Sequence, residues 1–363
     1  MKRFIGLDVH PDSCYVCVLE RGTPQGRRHR FPNTAEQWAT FAEGLGPQDA
    51  VAIEVSGGTF RLYDTLADRA GQVVVVDARV MRRLGSRKRK TDRDDAKLLA
   101  ERLALGTLPG VWVPPKPIRE LRSLVKVRRR LVEQRSRWKN QIRSLLVRNG
   151  YRAPRNLWQA RCHLKSLWGL ELPSGDRVVL AVALEQLRAT TSQLRAVERE
   201  IGQRVKDCPA VRLLLSLGGF HVFAAAAYYA YIGDPFRFAT GKQVASYAGL
   251  VPRGYQSGTT NRRGSITKEG PAVLRWALVE AACTVARHGP PGLRAFYQRL
   301  RARRGHPAAV VALAAKLARI AWAMWRTGQC FAGVRPELHA AKLAVLDRHA
   351  APYPTLQVLS WLA

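Results

Sequence analysis

Asp8 stands inside a short apolar run, Phe4-Ile5-Gly6-Leu7-Asp8-Val9-His10, closed by the turn-like Pro11-Asp12-Ser13. Such a run reads as a buried strand. A carboxylate in a buried strand is costly unless a basic group or a metal ion pairs with it. Three acids downstream are able to complete a metal site. Glu54 lies near the end of another apolar run, Ala50–Val55. Asp92 and Asp95 are three apart, on one face of a helix predicted from about Asp92 to Leu105. Four carboxylates of this kind hold two Mg²⁺ or Mn²⁺ ions about 3.5–4 Å apart, because hard cations take oxygen ligands. The chemistry is displacement at phosphorus, with the metals stabilising the attacking and leaving oxygens. Taken singly, each acid also reads as a surface ion pair or a helix cap, Asp92 as an N-cap. Asp94 points to another face and stays outside the set.

A second constellation lies far downstream: Ser257-Gly258-Thr259-Thr260-Asn261-Arg262-Arg263-Gly264-Ser265-Ile266-Thr267-Lys268. Its composition is that of a flexible, basic, phosphate-binding loop in which Arg262, Arg263 and Lys268 grip a phosphate. Ser257 beside Gly258 is accessible. A serine needs an activator to become a nucleophile, and no nearby His supplies one.

The elements that position these residues follow from the pattern. Phe4–His10 and Ser13–Glu20 form a hairpin, and Gly26–Phe31 is a more polar third strand. Thr34 caps a helix running to Leu45, with Glu36 in its first turn. Ala50–Val55 is a strand and Phe60–Arg69 a helix stopped by Gly71. Val73–Asp77, apolar on both faces, reads as a strand in the middle of a sheet covered on both sides. A basic linker, Arg82–Lys90, precedes the helix of Asp92 and Asp95. This is an α/β layered domain. In a ribonuclease H-like layout its first and fourth strands lie side by side, and the late helix packs across their ends.

Pro109, Pro114, Pro115 and Pro117 mark a linker. Ile118–Asn149 and Asp176 to about Lys206 carry near-heptad apolar residues, as an antiparallel helical hairpin or a dimerising coiled coil. The basic surplus of the first, with Arg128, Arg129 and Arg130 at its centre, points to nucleic acid. From Pro209 on the chain reads as helical. Val211–Leu217, Gly218-Gly219 and Val222–Ile232 resemble a helix-hairpin-helix whose glycines bring backbone amides to a phosphate. Lys242–Leu250 is a helix, Val251–Pro271 a loop, and helices follow from about Ala272, Gly292 and Ala308.

The 363 residues have room for two or three domains with real cores. The boundaries fall at 1–108, 109–207, 208–333 and a tail, 334–363, that carries no signal. A formal net charge of +33 opposes compaction unless a polyanion neutralises it. Nucleic acid is the expected partner. No signal peptide opens the chain, and Val222–Ile232 is shorter than the ~20 residues that span a bilayer. The expected place is therefore the prokaryotic cytoplasm, beside the nucleoid, with no membrane. Cys14 and Cys17 form a CxxC inside a strand, with no second pair at zinc-finger spacing, so the cysteines read as buried free thiols.

Gly6-Leu7-Asp8-Val9-His10, Ile53-Glu54 and Lys90-Thr91-Asp92-Arg93-Asp94-Asp95-Ala96 resemble the N-terminal signature of the DEDD insertion-sequence transposases. That family includes Piv-type invertases and bridge-RNA-guided recombinases. Ile232-Gly233-Asp234, Tyr247 to Pro252, Ser257-Gly258 and Gly264 to Gly270 match its C-terminal half. The resemblance implies a RuvC-like metal domain, a helical coiled-coil middle and a mostly helical transposase domain. It assigns Asp8, Glu54, Asp92 and Asp95 as the DEDD set and Ser257 as a nucleophile that forms a phosphoserine-DNA intermediate. It also implies donor and target DNA, a structured guide RNA, and a homo-oligomer, dimer or tetramer. One departure is visible: Leu217-Gly218-Gly219-Phe220 stands where the family usually has Pro-Gly-Ile-Gly.

Three other classes of protein share parts of this pattern. A RuvC-like Holliday-junction nuclease uses the same carboxylates with water as nucleophile, and leaves the Ser257 loop without a task. An actin-like sugar kinase usually has Gly two residues after its strand Asp, where this chain has His10. A non-catalytic nucleic-acid-binding protein explains the charge and not the four carboxylates.

Overall fold

The structure is a computed structural model that describes residues 1–23, 25–77, 92–154, 157–158, 166–257 and 260–351. For residues 92, 93, 255–257 and 260–263 it describes the backbone only. The basic linker Arg82–Lys90 lies outside the described residues. The chain divides into two compact units, Met1–Pro114 and Pro115–Ala363.

In the first unit, β1 (Arg3–Val9), β2 (Ser13–Glu20) and β3 (Arg27–Pro32) form an antiparallel meander. α1 (Ala35–Glu43), capped by Thr34, leads to β4 (Asp49–Glu54), which pairs parallel with β1. α2 (Thr59–Ala67) leads to β5 (Gln72–Val76), parallel to β4. The sheet order is β3-β2-β1-β4-β5. The first and fourth strands are thus neighbours, as the ribonuclease H-like layout requires.

Strand alternation sorts the core into two layers. Ile5, Leu7, Val51 and Ile53 pack with Trp38, Leu62 and Leu66 of α1 and α2. Ala50, Ala52 and Val76 face Leu99 and Leu103 of α3 (Asp92–Ala104), and Cys17 and Leu19 face its Ala96 and Ala100. Cys14 packs with the first layer and Cys17 with the second, so the CxxC is split across the sheet. The strand read as central, Val73–Asp77, is the edge strand β5; Asp8's own strand is the central one. β5 is apolar on both faces because both helical layers reach it, Val73 on one side and Val74 and Val76 on the other. An isolated bridge from Val111 to Val75 covers part of its edge.

In the second unit, α4 (Lys116–Arg148) and α5 (Ser174–Val205) pair antiparallel within one chain. Leu121 and Val125 meet Ile201 and Val205 at one end, and Ile142 and Leu145 meet Leu180 and Leu187 at the other. Short α6 (Pro209–Leu214) turns into α7 (Val222–Ile232). The Gly218-Gly219 turn is used for packing: a Cβ on Gly219 would stand 2.4 Å from the carbonyl oxygen of Ala281. Gly218 and Gly219 both stand against α9 (Ala272–His288), through Val285 and Ala281.

α8 (Gly241–Tyr247) precedes the segment read as a loop, which is an antiparallel ribbon of β6 (Pro252–Ser257) and β7 (Thr260–Ile266). α10 (Pro291–Thr327) is kinked at Gly305. By length and composition α10 is apolar enough to cross a membrane, which the sequence reading did not single out. Leu313, Ala314, Leu317, Ala318 and Ala321 are buried in the helical core, as in a core helix. The signal-free tail forms α11 (Pro336–His349), whose buried Lys342 Nζ donates to the carbonyls of Leu215 and Leu217 at 2.8 and 2.9 Å.

Candidate active site

Asp8 occupies an even position near the carboxyl end of β1, on the sheet face beneath α3, and is 9% exposed. Glu54 is the last residue of β4. The parallel register pairs Leu7 with Ile53, so Glu54 lies one step on, beside Asp8 and on the same face. α3 brings the other acids. A Cβ on Gly6 would stand 2.0 Å from the carbonyl oxygen of Ala96, so the helix backbone rests directly on β1. Leu103 packs with Phe4 and Ala50 at the amino ends of the strands. The helix therefore runs antiparallel to β1 and β4, and its first turn, with positions 92 and 95, lies toward their carboxyl ends. Asp95 is half-buried there and Asp92 opens the helix.

Two local bonds shape the site. The His10 Nε2–H donates to Asp8 Oδ2 at 3.2 Å, a partner the sequence reading passed over although it lies two residues on. Thr59 Oγ1 donates to the carbonyl oxygens of Glu54 and Ser56 at 3.2 and 3.1 Å and ties the end of β4 to α2. Behind the strand, burial and then the Asp8 carboxylate push the Cys14 thiol well up, which keeps it neutral. Among the described residues no three His, Cys, Asp or Glu side chains stand close enough to hold a metal ion. Asp8, Glu54 and Asp95 all have interaction partners of their own. Asp8 and Glu54 nonetheless offer carboxylate oxygens on one face at one end of the sheet, with the first turn of α3 toward that end, a chemistry that fits a hard divalent cation.

Ser257 ends β6 and pairs with Thr260, the first residue of β7. Arg262 pairs with Tyr255, and Arg263 with Gly254. The base of the ribbon is a backbone clasp. Gly249, at φ +68°, approaches Glu269, and Gly270, at φ +87°, approaches Tyr247 so closely that a Cβ would stand 2.0 Å from its carbonyl oxygen. Thr267 N donates to the Val251 carbonyl at 2.9 Å, and Lys268, exposed, is held left-handed at φ 53°. The matched stretches Tyr247–Pro252 and Gly264–Gly270 thus hold the stem that carries Ser257.

The three arginines of α4 differ. Arg128 donates from Nε and Nη2 to Glu198 Oε1 at 2.9 and 2.7 Å and lies 4.2 Å over the Phe223 ring, so two of its three nitrogens are engaged within the chain. Arg129 pairs with Glu133 at 2.8 Å. Arg130 is exposed and lines an open depression with Gln134, Arg137 and Gln141.

Comparison with known proteins covers both sets of candidate residues. Residues 5–149 match the family model of IS110 DEDD transposases, and residues 211–298 that of the IS116/IS110/IS902 transposase family. A probable family 20 transposase of Pseudomonas aeruginosa is 31% identical over 249 residues, 67% of this chain and 74% of that protein. The transposase for insertion sequence element IS1111A of Coxiella burnetii is 27% identical over 342 residues, 89% of each chain. The transposase for IS1328 of Yersinia enterocolitica is 25% identical over 341 residues, 90% of this chain and 98% of that protein.

Proposed function

Because the chain belongs to the DEDD transposase family of IS110-type insertion sequences, and so to the enzymes that recombine DNA, we propose that it cleaves and rejoins DNA through a phosphoserine. The observation that supports metal-dependent cleavage is the placement of Asp8 and Glu54 on one face, at the carboxyl ends of neighbouring parallel strands, with the first turn of α3 beside them; the serine route rests on the family likeness around Ser257. Asp8, Glu54, Asp92 and Asp95 would hold Mg²⁺ or Mn²⁺ there. When bound, the cations stabilise charge on the attacked phosphate.

Ser257 supplies the nucleophile. Its Oγ loses a proton and bonds to phosphorus, one P–O bond of the DNA breaks, and the departing oxygen takes up a proton. The reverse attack by a DNA hydroxyl on the phosphoserine rejoins a strand. Phosphodiester bonds are conserved and no high-energy cofactor is consumed, whereas water as nucleophile would dissipate that energy. Arg262, Arg263 and Lys268 hold the phosphate beside the serine. A structured guide RNA lies on the basic face of α4, mainly through its phosphates. Sequencing the nucleic acid that co-purifies with the protein tests for the guide.

The decisive experiment is a denaturing gel with labelled target DNA and Mg²⁺. Wild type gives a protein-linked band; Ser257→Ala gives none, and Asp8→Asn, Glu54→Gln and chelation of the metal abolish cleavage. A band that survives in Ser257→Ala moves the nucleophile elsewhere. Cleaved DNA without an adduct in wild type favours the junction-nuclease chemistry.

A further inference from the structure

The edge strand β3 begins Arg27-Arg28-His29-Arg30, and all four residues are exposed. Its register joins it to the candidate site. Asp8 is the cross-strand partner of Tyr15, and Tyr15 is the partner of Arg30. Direct cross-strand partners share a sheet face. Asp8, Tyr15 and Arg30 therefore form one row across β1, β2 and β3, on the face beneath α3 and away from Glu54. Neighbouring strands are about 4.8 Å apart, so the backbone of Arg30 lies about 10 Å from that of Asp8.

The side chains bear out the row. The Arg30 guanidinium lies 5.0 Å from the centre of the Tyr15 ring. The same ring meets His10 edge to face at 6.1 Å, and His10 donates to Asp8. Stacking on a ring fixes a guanidinium while leaving its N–H edge free to bind an oxyanion. A row of this kind gives a DNA strand bound at Asp8 a second, cationic contact one strand-width past Tyr15.

Resting on the reading that DNA is cut at Asp8 and its neighbouring carboxylates, we infer that Arg30 binds a phosphate flanking the cleaved one, with Tyr15 as the platform that aims it. The competing account is that charge on β3 only keeps a bare sheet edge from pairing with another chain. That account needs charge on the strand, and it does not need arginine at position 30 or a charged phosphate at one place in the DNA.

The experiment is a methylphosphonate scan. Single neutral linkages replace each phosphate within about three nucleotides of the cut, and cleavage is measured for wild type, Arg30→Ala and Arg30→Lys. One charge-assisted contact is worth about tenfold. Wild type is expected to lose about that factor at one flanking position. Arg30→Ala loses about tenfold on unmodified DNA, in KM more than kcat, and is indifferent to the neutral linkage at that same position. Arg30→Lys recovers part of the loss. An Arg30→Ala protein that cleaves as wild type does, or that keeps wild-type sensitivity at every position, overturns the inference. Asp8→Asn separates the two layers. If it too cleaves normally, the carboxylate reading itself falls; if it is dead while Arg30→Ala is normal, only the role of Arg30 falls.

Discussion

At the scale of single residues, the chain places charge inside its core, and Lys342 makes this measurable. Its ammonium is buried among helices, and burial lowers its pKa from 10.5 to about 8. The two carbonyls it bonds are those of Leu215 and Leu217, at the turn after α6. A lysine whose pKa is lower folded than unfolded binds fewer protons when folded between those two values. Stability from this group is therefore fully present above the unfolded value and is lost as pH falls through the folded one. The shift corresponds to about 3 kcal/mol. Chemical denaturation of wild type should show this contribution growing between about pH 8 and 10.5. Lys342→Met should flatten that rise, and an equal rise in the variant would show that Lys342 is not its source.

At the scale of elements, α4 has two jobs that sit on different faces. Arg128 bonds Glu198 across the α4–α5 pair, whereas Arg130 and Arg137 face outward. Replacing Arg130 and Arg137 with Ala should weaken nucleic-acid binding and flatten its dependence on salt, because fewer counterions are released. Arg128→Ala should instead cost about 1–2 kcal/mol of stability and leave the salt slope nearly unchanged. Filter binding at several salt concentrations, with a melt of each variant, separates the two roles; a slope flattened by Arg128→Ala alone would reverse the assignment. Strands and long helices were legible because their apolar periods are local. The strands and helix that carry the candidate acids were legible because Asp8 interrupts such a period and positions 92 and 95 stand three apart at the start of one helix. The ribbon was not: it is polar on both strands and has no alternation to read. Nor was the Gly218-Gly219 contact, whose partner Ala281 lies some sixty residues away in sequence. The same holds for β5, since residues alone do not say whether covered faces belong to a central or an edge strand. His10 and Arg30 gain meaning only from register, which ties Arg30 to Asp8 through Tyr15.

At the scale of the whole molecule, the four carboxylates all precede Pro114 and Ser257 follows it, so the two chemical sets belong to different compact units. If assembled copies share their sites, mixing Asp8→Asn with Ser257→Ala protein should restore part of the recombination that neither performs alone. No recovery in mixed oligomers would place a complete site in each chain. The division also bears on inheritance. Where assembled copies share their sites, a gene damaged in one unit still encodes the other, and two defective genes together supply a full set of reacting groups. Selection against such a mobile element then acts on the collection of its copies, and silencing any single gene leaves the rest able to move it.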